Sequence, residues 1–354
     1  MAQKVLQKAK QSKKDEFYTQ SKDIEDELRY YKAQFKGKTV YCNCDDPYES
    51  NFFRYFVLNF KQLELKSLIT TSYKPSPIDE VQLTLSLGIE EPKMPKQKGR
   101  PKVKAKRFVI NDVGDIDGDG AYNLADVAKQ LQINKNNEWV TLKGDKDYPA
   151  GDFRSKECVA LLEKADIVVT NPPFSLFREY IAQLVEHDKK FLIIGNKNAI
   201  TYKETFSLIK DNKLWLGYRN INSDMWFEVP EDQAYEKMVD GKKVKHIMAC
   251  WFTNLDTTKR HEEFEMYRSY TPELYPHYDN YDAINVNVVA DIPKDYTGVM
   301  GVPITFLDKF NPSQFKLLGQ MVTTKIDDFN FGYPYLNGKK IYARILIKNK
   351  KVEK

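Results

Sequence analysis

Apolar positions along the chain follow two rhythms, short β-branched runs and stretches with a helical repeat, and their alternation predicts an α/β fold. Ile24, Leu28, Tyr31 and Phe35 share one face of a helix predicted over 21–35, with Asp23, Glu25 and Asp26 near its positive end and Gly37 as its stop. Strands are predicted over 39–44, 68–71, 167–169 and 190–195, and helices over 52–60, 124–131, 155–163 and 177–185. Strand and helix in turn imply a parallel or mainly parallel sheet with right-handed crossovers, which 214–217 and 224–227 are expected to continue. Between 75 and 106 the periodicity disappears and prolines and lysines accumulate, as in a linker or long insertion. Beyond about residue 230 the chain becomes aromatic, polar and charged. There 242–252 reads as one strand, 267–281 holds five tyrosines among prolines, and Leu336-Asn337-Gly338-Lys339 is a hairpin signal.

The β-branched run Ile167-Val168-Val169 ends at Asn171-Pro172-Pro173-Phe174, because proline fixes φ and donates no amide hydrogen to a ladder. A rigid loop at the carboxyl end of a parallel strand is where open α/β sheets place their ligands. The Asn171 side-chain oxygen and the Pro172 carbonyl are two acceptors on a stiff backbone, a set that suits a planar NH2 group. Binding both amine hydrogens draws the nitrogen lone pair out of conjugation and presents it to an electrophile. Phe174 offers a flat face to the ring bearing the amine, and neither a general base nor a metal is needed. The alternative is a chance Asn-Pro-Pro turn, which its place after a strand disfavours.

Asn171-Pro172-Pro173-Phe174 resembles the catalytic motif of amino-methyltransferases that use S-adenosylmethionine, and its phenylalanine form is similar to the adenine-N6 branch. The likeness continues in Asp15-Glu16-Phe17-Tyr18-Thr19, Tyr41-Cys42-Asn43-Cys44-Asp45-Asp46-Pro47-Tyr48, Leu176-Phe177-Arg178-Glu179-Tyr180, Phe191-Leu192-Ile193-Ile194-Gly195-Asn196 and Met300-Gly301-Val302-Pro303-Ile304-Thr305-Phe306. Over nearly its whole length the chain resembles the EcoRI-type adenine-specific DNA methyltransferases. The resemblance implies a Rossmann-like S-adenosylmethionine-dependent core over 1–230, with a basic insertion at about 75–107 and an acidic loop at 115–126. An α+β target-recognition region is implied over 231–354. So are S-adenosyl-L-methionine as cofactor, double-stranded DNA as substrate, and site-specific transfer to a flipped adenine, as in restriction-modification or phage and mobile-element DNA protection. A monomer is expected, with room for a companion restriction endonuclease. Methylation of RNA or of a protein glutamine, and a non-catalytic DNA-binding role, are the alternatives.

In this resemblance Phe17, Tyr18 and Thr19 hold the methionine end of the cofactor; by themselves they read equally as a hydrophobic staple on the following helix. Asn43, Asp45, Asp46 and Pro47 lie in the turn of the first strand-helix unit, where helix amides and carboxylates serve a nucleotide-like ligand. Ser50 and Asn51 stand where related enzymes often carry glycine. Asp152-Phe153 resembles the contact to the cofactor's adenine, and alone reads as a turn whose Asp152 caps the next helix.

With 354 residues, 42% of them hydrophobic and 30% charged, the chain fits a globular protein of two domains. The net charge of +5 is mild, yet 93–107 holds eight cations and no acid, a block that contacts polyanions or stays solvated. Within it Lys98-Gly99-Arg100-Pro101-Lys102 resembles an AT-hook core, so Lys98, Arg100 and Lys102 are expected at DNA phosphates, with a plain solvated loop as the alternative. Asp115, Asp117, Asp119 and Asp126 with Gly120 follow calcium-loop spacing, although Asp126 replaces the usual glutamate; the alternative, a metal-free capping turn, is the reading taken. Four scattered cysteines, no leader pattern and no long apolar run predict a reduced, soluble, cytoplasmic protein without a membrane segment.

Overall fold

The Val- and Ile-rich runs become strands buried on both faces, as parallel strands covered by helices require. In the computed structural model the described residues are 18–44, 50–72, 105–115, 126, 136–229, 234–239 and 241–352. Contacts divide the chain into two units, one of 1–195 with 224–247 and one of 196–223 with 248–354. This division differs from the functional one expected near residue 230, since 234–247 groups with the first unit.

The first unit runs β1 (Tyr18–Thr19), α1 (Ser21–Leu28), β2 (Thr39–Cys42), α2 (Asn51–Leu58), β3 (Ser67–Thr71), β4 (Lys106–Ile110), β5 (Glu138–Thr141), α3 (Lys156–Lys164), β6 (Ile167–Thr170), α4 (Phe177–Glu186) and β7 (Lys190–Asn196). Its main sheet has the order β5-β4-β3-β2-β6-β7. The four strands β3, β2, β6 and β7 are parallel, whereas β4 and β5 are antiparallel additions at the β3 edge. The sheet is therefore mixed. From β2 the chain moves outward to β3, then returns to β6 on the other side of β2 and continues to β7. The order thus reverses between β2 and β6, and a crevice at their carboxyl ends follows from that topology. Asp166 ties the two strands at their start: its Oδ2 accepts from the Thr39 amide at 2.8 Å and its own amide donates to the Thr39 carbonyl at 2.9 Å.

Three expectations are corrected. The helix predicted over 21–35 ends at Leu28, because Tyr31 adopts φ −115°, ψ 1°, after which Lys32–Phe35 forms a 3-10 turn. Ile24, Leu28, Tyr31 and Phe35 are nevertheless all fully buried, since a tighter turn still returns them to one face. The segment at 224–227 does not continue the main sheet: Met225–Glu228 pairs antiparallel with β1 and with Lys242–Ile247, which in turn pairs with Lys237–Val239. The strand expected over 242–252 is two strands, Lys242–Ile247 and Ala249–Thr253, in different sheets.

In the second unit Ala249–Thr253 pairs antiparallel with Trp215–Leu216. A further sheet has the order Ile284–Asn285, Met300–Val302, Arg344–Asn349, Phe315–Met321. The predicted hairpin joins Tyr335–Leu336 to Lys339–Lys340, with Asn337 at φ 51° and Gly338 at φ 73°, the two positive values that a twist-matched two-residue turn requires. Among the described residues no helix is long and apolar enough to cross a membrane.

Candidate active site

Strand β6 delivers the chain to Asn171 with all four of its residues buried. Pro172 is buried, and Pro173 at φ −55°, ψ 124° leads into a 3-10 turn, Phe174–Leu176, closed by the Leu176 amide on the Pro173 carbonyl at 3.0 Å. Helix α4 starts directly after. The loop is thus pinned by a buried strand on one side and a helix on the other, as its two prolines demand. Asn171 is partly exposed while its Oδ1 atom is buried.

The ring of Phe174 meets that of Phe227 edge to face, centroids 6.5 Å apart at 88°. Phe227 is fully buried and is the direct cross-strand partner of Thr19. The Tyr18-Thr19 segment therefore stands behind the aromatic wall of the Asn171 loop. Ser50 and Asn51, at the start of α2, explain how that segment is held. Ser50 caps α2, its Oγ accepting from the amides of Phe52 and Phe53 at 3.1 and 3.3 Å. Asn51 Nδ2 donates to the Thr19 carbonyl at 2.7 Å. Thr19 Oγ1, by contrast, is buried and has no protein hydrogen-bond partner among the described residues. An unpaired buried hydroxyl carries a desolvation cost of about 1–3 kcal/mol unless a ligand meets it.

Across the switch point, Asn43 follows β2 and is almost completely buried. Its Oδ1 accepts from the Tyr180 hydroxyl on α4 in a short hydrogen bond and lies 3.7 Å from Cys44 Sγ. The Tyr180 ring also packs edge-on against Phe153, centroids 5.0 Å apart. Tyr180 thus locks the β2 turn to the 152–153 turn. Asp152 is buried, and Arg154 makes three hydrogen bonds to it: from its amide at 2.9 Å, from Nε at 2.9 Å and from Nη2 at 2.8 Å. Arg154 Nη1 reaches Glu179 at 2.6 Å, and the guanidinium lies over the Tyr148 and Phe153 rings. The hydrogen bond to Asp152 holds the guanidinium even more firmly charged than usual. The alternative of Asp152 as a helix cap is overturned: Ser155 caps α3, its Oγ accepting from the Cys158 amide at 3.3 Å. Gly151 is required where it stands, at φ 79°, because a Cβ there would come within 1.8 Å of the Ser72 carbonyl oxygen. Burial raises the Cys158 thiol and the Tyr41 hydroxyl, so both remain neutral core groups.

Of the sequence-predicted residues, Tyr18, Thr19, Asn43, Asp152, Phe153 and Asn171 to Phe174 all belong to the first unit, the first two on β1 and the others on the turns just described. Phe17, Asp45, Asp46 and Pro47 lie outside the described residues, as do Lys98, Arg100 and Lys102 of the basic insertion and Asp117 and Asp119 of the acidic loop. Asp126 is buried. Among the described residues no group of three His, Cys, Asp or Glu side chains could hold a metal ion. Sequence reasoning missed Asn51, Tyr180, Arg154 and Phe227. Tyr180 ends the Leu176-Phe177-Arg178-Glu179-Tyr180 motif, and Arg154 directly follows Asp152-Phe153, but no local signal names their partners.

Residues 5–350 match the family described as Adenine-specific methyltransferase EcoRI. The chain is 46% identical over 359 residues to the Type II methyltransferase M.EcoRI of Escherichia coli, covering 99% of this chain and 98% of the relative. It is 35% identical to M.MgeORF184P of Mycoplasma genitalium, with 98% of each chain covered, and 33% identical to M.MpnI of Mycoplasma pneumoniae, with 97% of each covered. Both are likewise type II methyltransferases. No solved structure matches the chain.

Proposed function

The chain belongs to the family of EcoRI-type adenine-specific methyltransferases, and from that premise we propose that its Asn171–Phe174 loop performs methyl transfer to N6 of an adenine turned out of duplex DNA. The protein is a DNA adenine methyltransferase. The observation that carries the assignment of the site is the pinned loop at the carboxyl end of β6, beside the strand-order reversal, with Phe174 backed by Phe227. The target amine lies inside a base pair, so the base must leave the stack before any loop can surround it.

The methyl donor in this reading is S-adenosyl-L-methionine, which when bound supplies an electrophilic methyl group on its sulfur. The orphaned, buried Thr19 hydroxyl fits a polar ligand there, as does the chain of spatial neighbours from Thr19 through Phe227 to Phe174. Asp152, oriented by Arg154, and the Phe153 ring are the residues we assign to the cofactor's adenine, and the Asn43 turn to its ribose side. Asn171 Oδ1 and the Pro172 carbonyl accept the two hydrogens of the target amine. Their hold strengthens as the nitrogen gains positive character, which is differential stabilisation of the transition state. Phe174 keeps the base in place by stacking, worth about 1–3 kcal/mol on comparable aromatic platforms.

We assign sequence recognition to the chain after residue 230 and sequence-independent phosphate contact to Lys98, Arg100 and Lys102. A monomeric working form and a companion endonuclease for the same site belong to the same proposal. RNA and protein glutamine are not favoured as acceptors, since the family is adenine-specific and its three relatives are type II methyltransferases. Transfer of label from S-adenosylmethionine to duplex DNA, RNA and protein, with wild type and Asn171→Ala, tests the reading. Label is expected in DNA N6-methyladenine with the wild type alone, and full turnover by Asn171→Ala refutes the assigned site.

A further inference from the structure

The small sheet that carries β1 has two unlike faces. Cross-strand partners of an antiparallel pair share a face, as do residues two apart along one strand. One face holds Trp226, Glu228, Lys237 and Lys242, and both of its lysines are matched: Lys242 Nζ lies 2.6 Å from Glu228 Oε2, and Lys237 Nζ lies 3.4 Å from the centroid of the Trp226 ring. The other face carries Thr19, Phe227 and Lys245 in one row, because Phe227 is the partner of both. This is the face whose Phe227 ring meets Phe174. Lys243, two residues away on it, lies over the Tyr235 ring at 5.4 Å. Lys245 has neither an acidic nor an aromatic partner among the described residues, and it is partly buried.

A lysine withdrawn from solvent normally has an anion beside it. Here the neighbouring cations are satisfied within the protein and this one is not, and it is the one in line with the catalytic loop. Adjacent strands are about 4.8 Å apart, so the Lys245 backbone is one strand beyond Phe227 on the same face, and a four-carbon stem is long enough to reach beyond that row. A base stacked on Phe174 remains joined to its sugar and phosphates, which must then lie at the mouth of the pocket. We propose that Lys245 binds a DNA phosphate flanking the flipped adenine and so holds the nucleotide in its extrahelical position. The inference rests on the reading that the Asn171 loop receives that base.

The test uses the full-length protein and a duplex carrying its mapped methylation site, with 2-aminopurine at the target position. A second duplex carries a neutral methylphosphonate at each phosphate beside the target. Lys245→Gln is expected to lower affinity for the first duplex roughly tenfold or more, the loss for one hydrogen bond to a charged group. It should also flatten the slope of log affinity against log salt by about 0.9 and reduce 2-aminopurine fluorescence. Methylphosphonate should weaken the wild type and leave Lys245→Gln unaffected, while Lys245→Arg retains wild-type behaviour and all three proteins keep the same melting temperature and cofactor affinity. Persistent methylphosphonate sensitivity in Lys245→Gln, or an unchanged salt slope, overturns the proposal. So does a fall in melting temperature with sensitivity retained, which marks an internal structural role. Failure of the underlying reading is seen separately, as full methyl transfer to DNA by Asn171→Ala.

Discussion

Tyr180→Phe isolates one atom that couples the two halves of the site. The ring remains, so the edge-on packing against Phe153 is kept; only the hydroxyl that Asn43 Oδ1 accepts is removed. Both residues are buried, and the neighbour left to that oxygen is the weak Cys44 thiol at 3.7 Å. Leaving one buried acceptor without its strong donor costs about 1–3 kcal/mol. For a unit of roughly two hundred residues each kcal/mol lowers Tm by about 2–4 °C. The β2 turn, loosened by that amount, should raise KM for the methyl donor more than it lowers kcat, since Asn171 and Phe174 are untouched. Tyr180→Ala also empties the ring's volume and should cost about 3–5 kcal/mol. Thermal melts and steady-state kinetics of both variants measure the difference. If Tyr180→Phe melts with the wild type and keeps its KM, the hydroxyl does not brace Asn43 and the coupling argument fails.

Phe174→Ala should weaken retention of the extrahelical base by about 1–3 kcal/mol, read as lost 2-aminopurine fluorescence with cofactor binding intact; unchanged fluorescence removes the stacking role. Gly151→Ala should destabilise by more than about 2 kcal/mol, from a left-handed backbone and a collision with Ser72 together, and a denaturant midpoint equal to the wild type's contradicts this. Burial, with Glu25 adding to it, holds the Tyr55 hydroxyl up from 10.0 to about 12. The unfolded chain therefore loses that proton first. The contribution is full below pH 10 and is lost as pH rises through 12, so Tyr55→Phe should flatten alkaline unfolding in that window. Neutralising Lys96, Lys98, Arg100, Lys102 and Lys104 together should weaken target and non-target duplexes alike and reduce the salt slope by about 0.9 for each phosphate that no longer meets a cation; an unchanged slope makes 93–107 a solvated linker.

What the sequence by itself determined was set by residues acting within a few positions of themselves. The β-branched run into Pro172-Pro173 gave a buried strand ending in a stiff loop, because both effects are local to φ and to the ladder. Asn337-Gly338 made its hairpin for the same reason, as each needs positive φ there. The apolar spacing of Ile24, Leu28, Tyr31 and Phe35 foretold their burial but not the change from α-helix to 3-10 turn, since both present nearly the same face. Tertiary structure decided what each buried face packs against. Met225–Glu228 reads as one more strand of the main sheet, and only long-range pairing assigns it to β1, bringing Phe227 behind Phe174. Asn43 and Tyr180 are 137 residues apart, and Asp152 could cap a helix or receive an arginine with equal local merit. Periodicity records which side of an element leaves water; it carries no record of the partner that side meets, because burial is rewarded by area whatever the source of the neighbouring atoms.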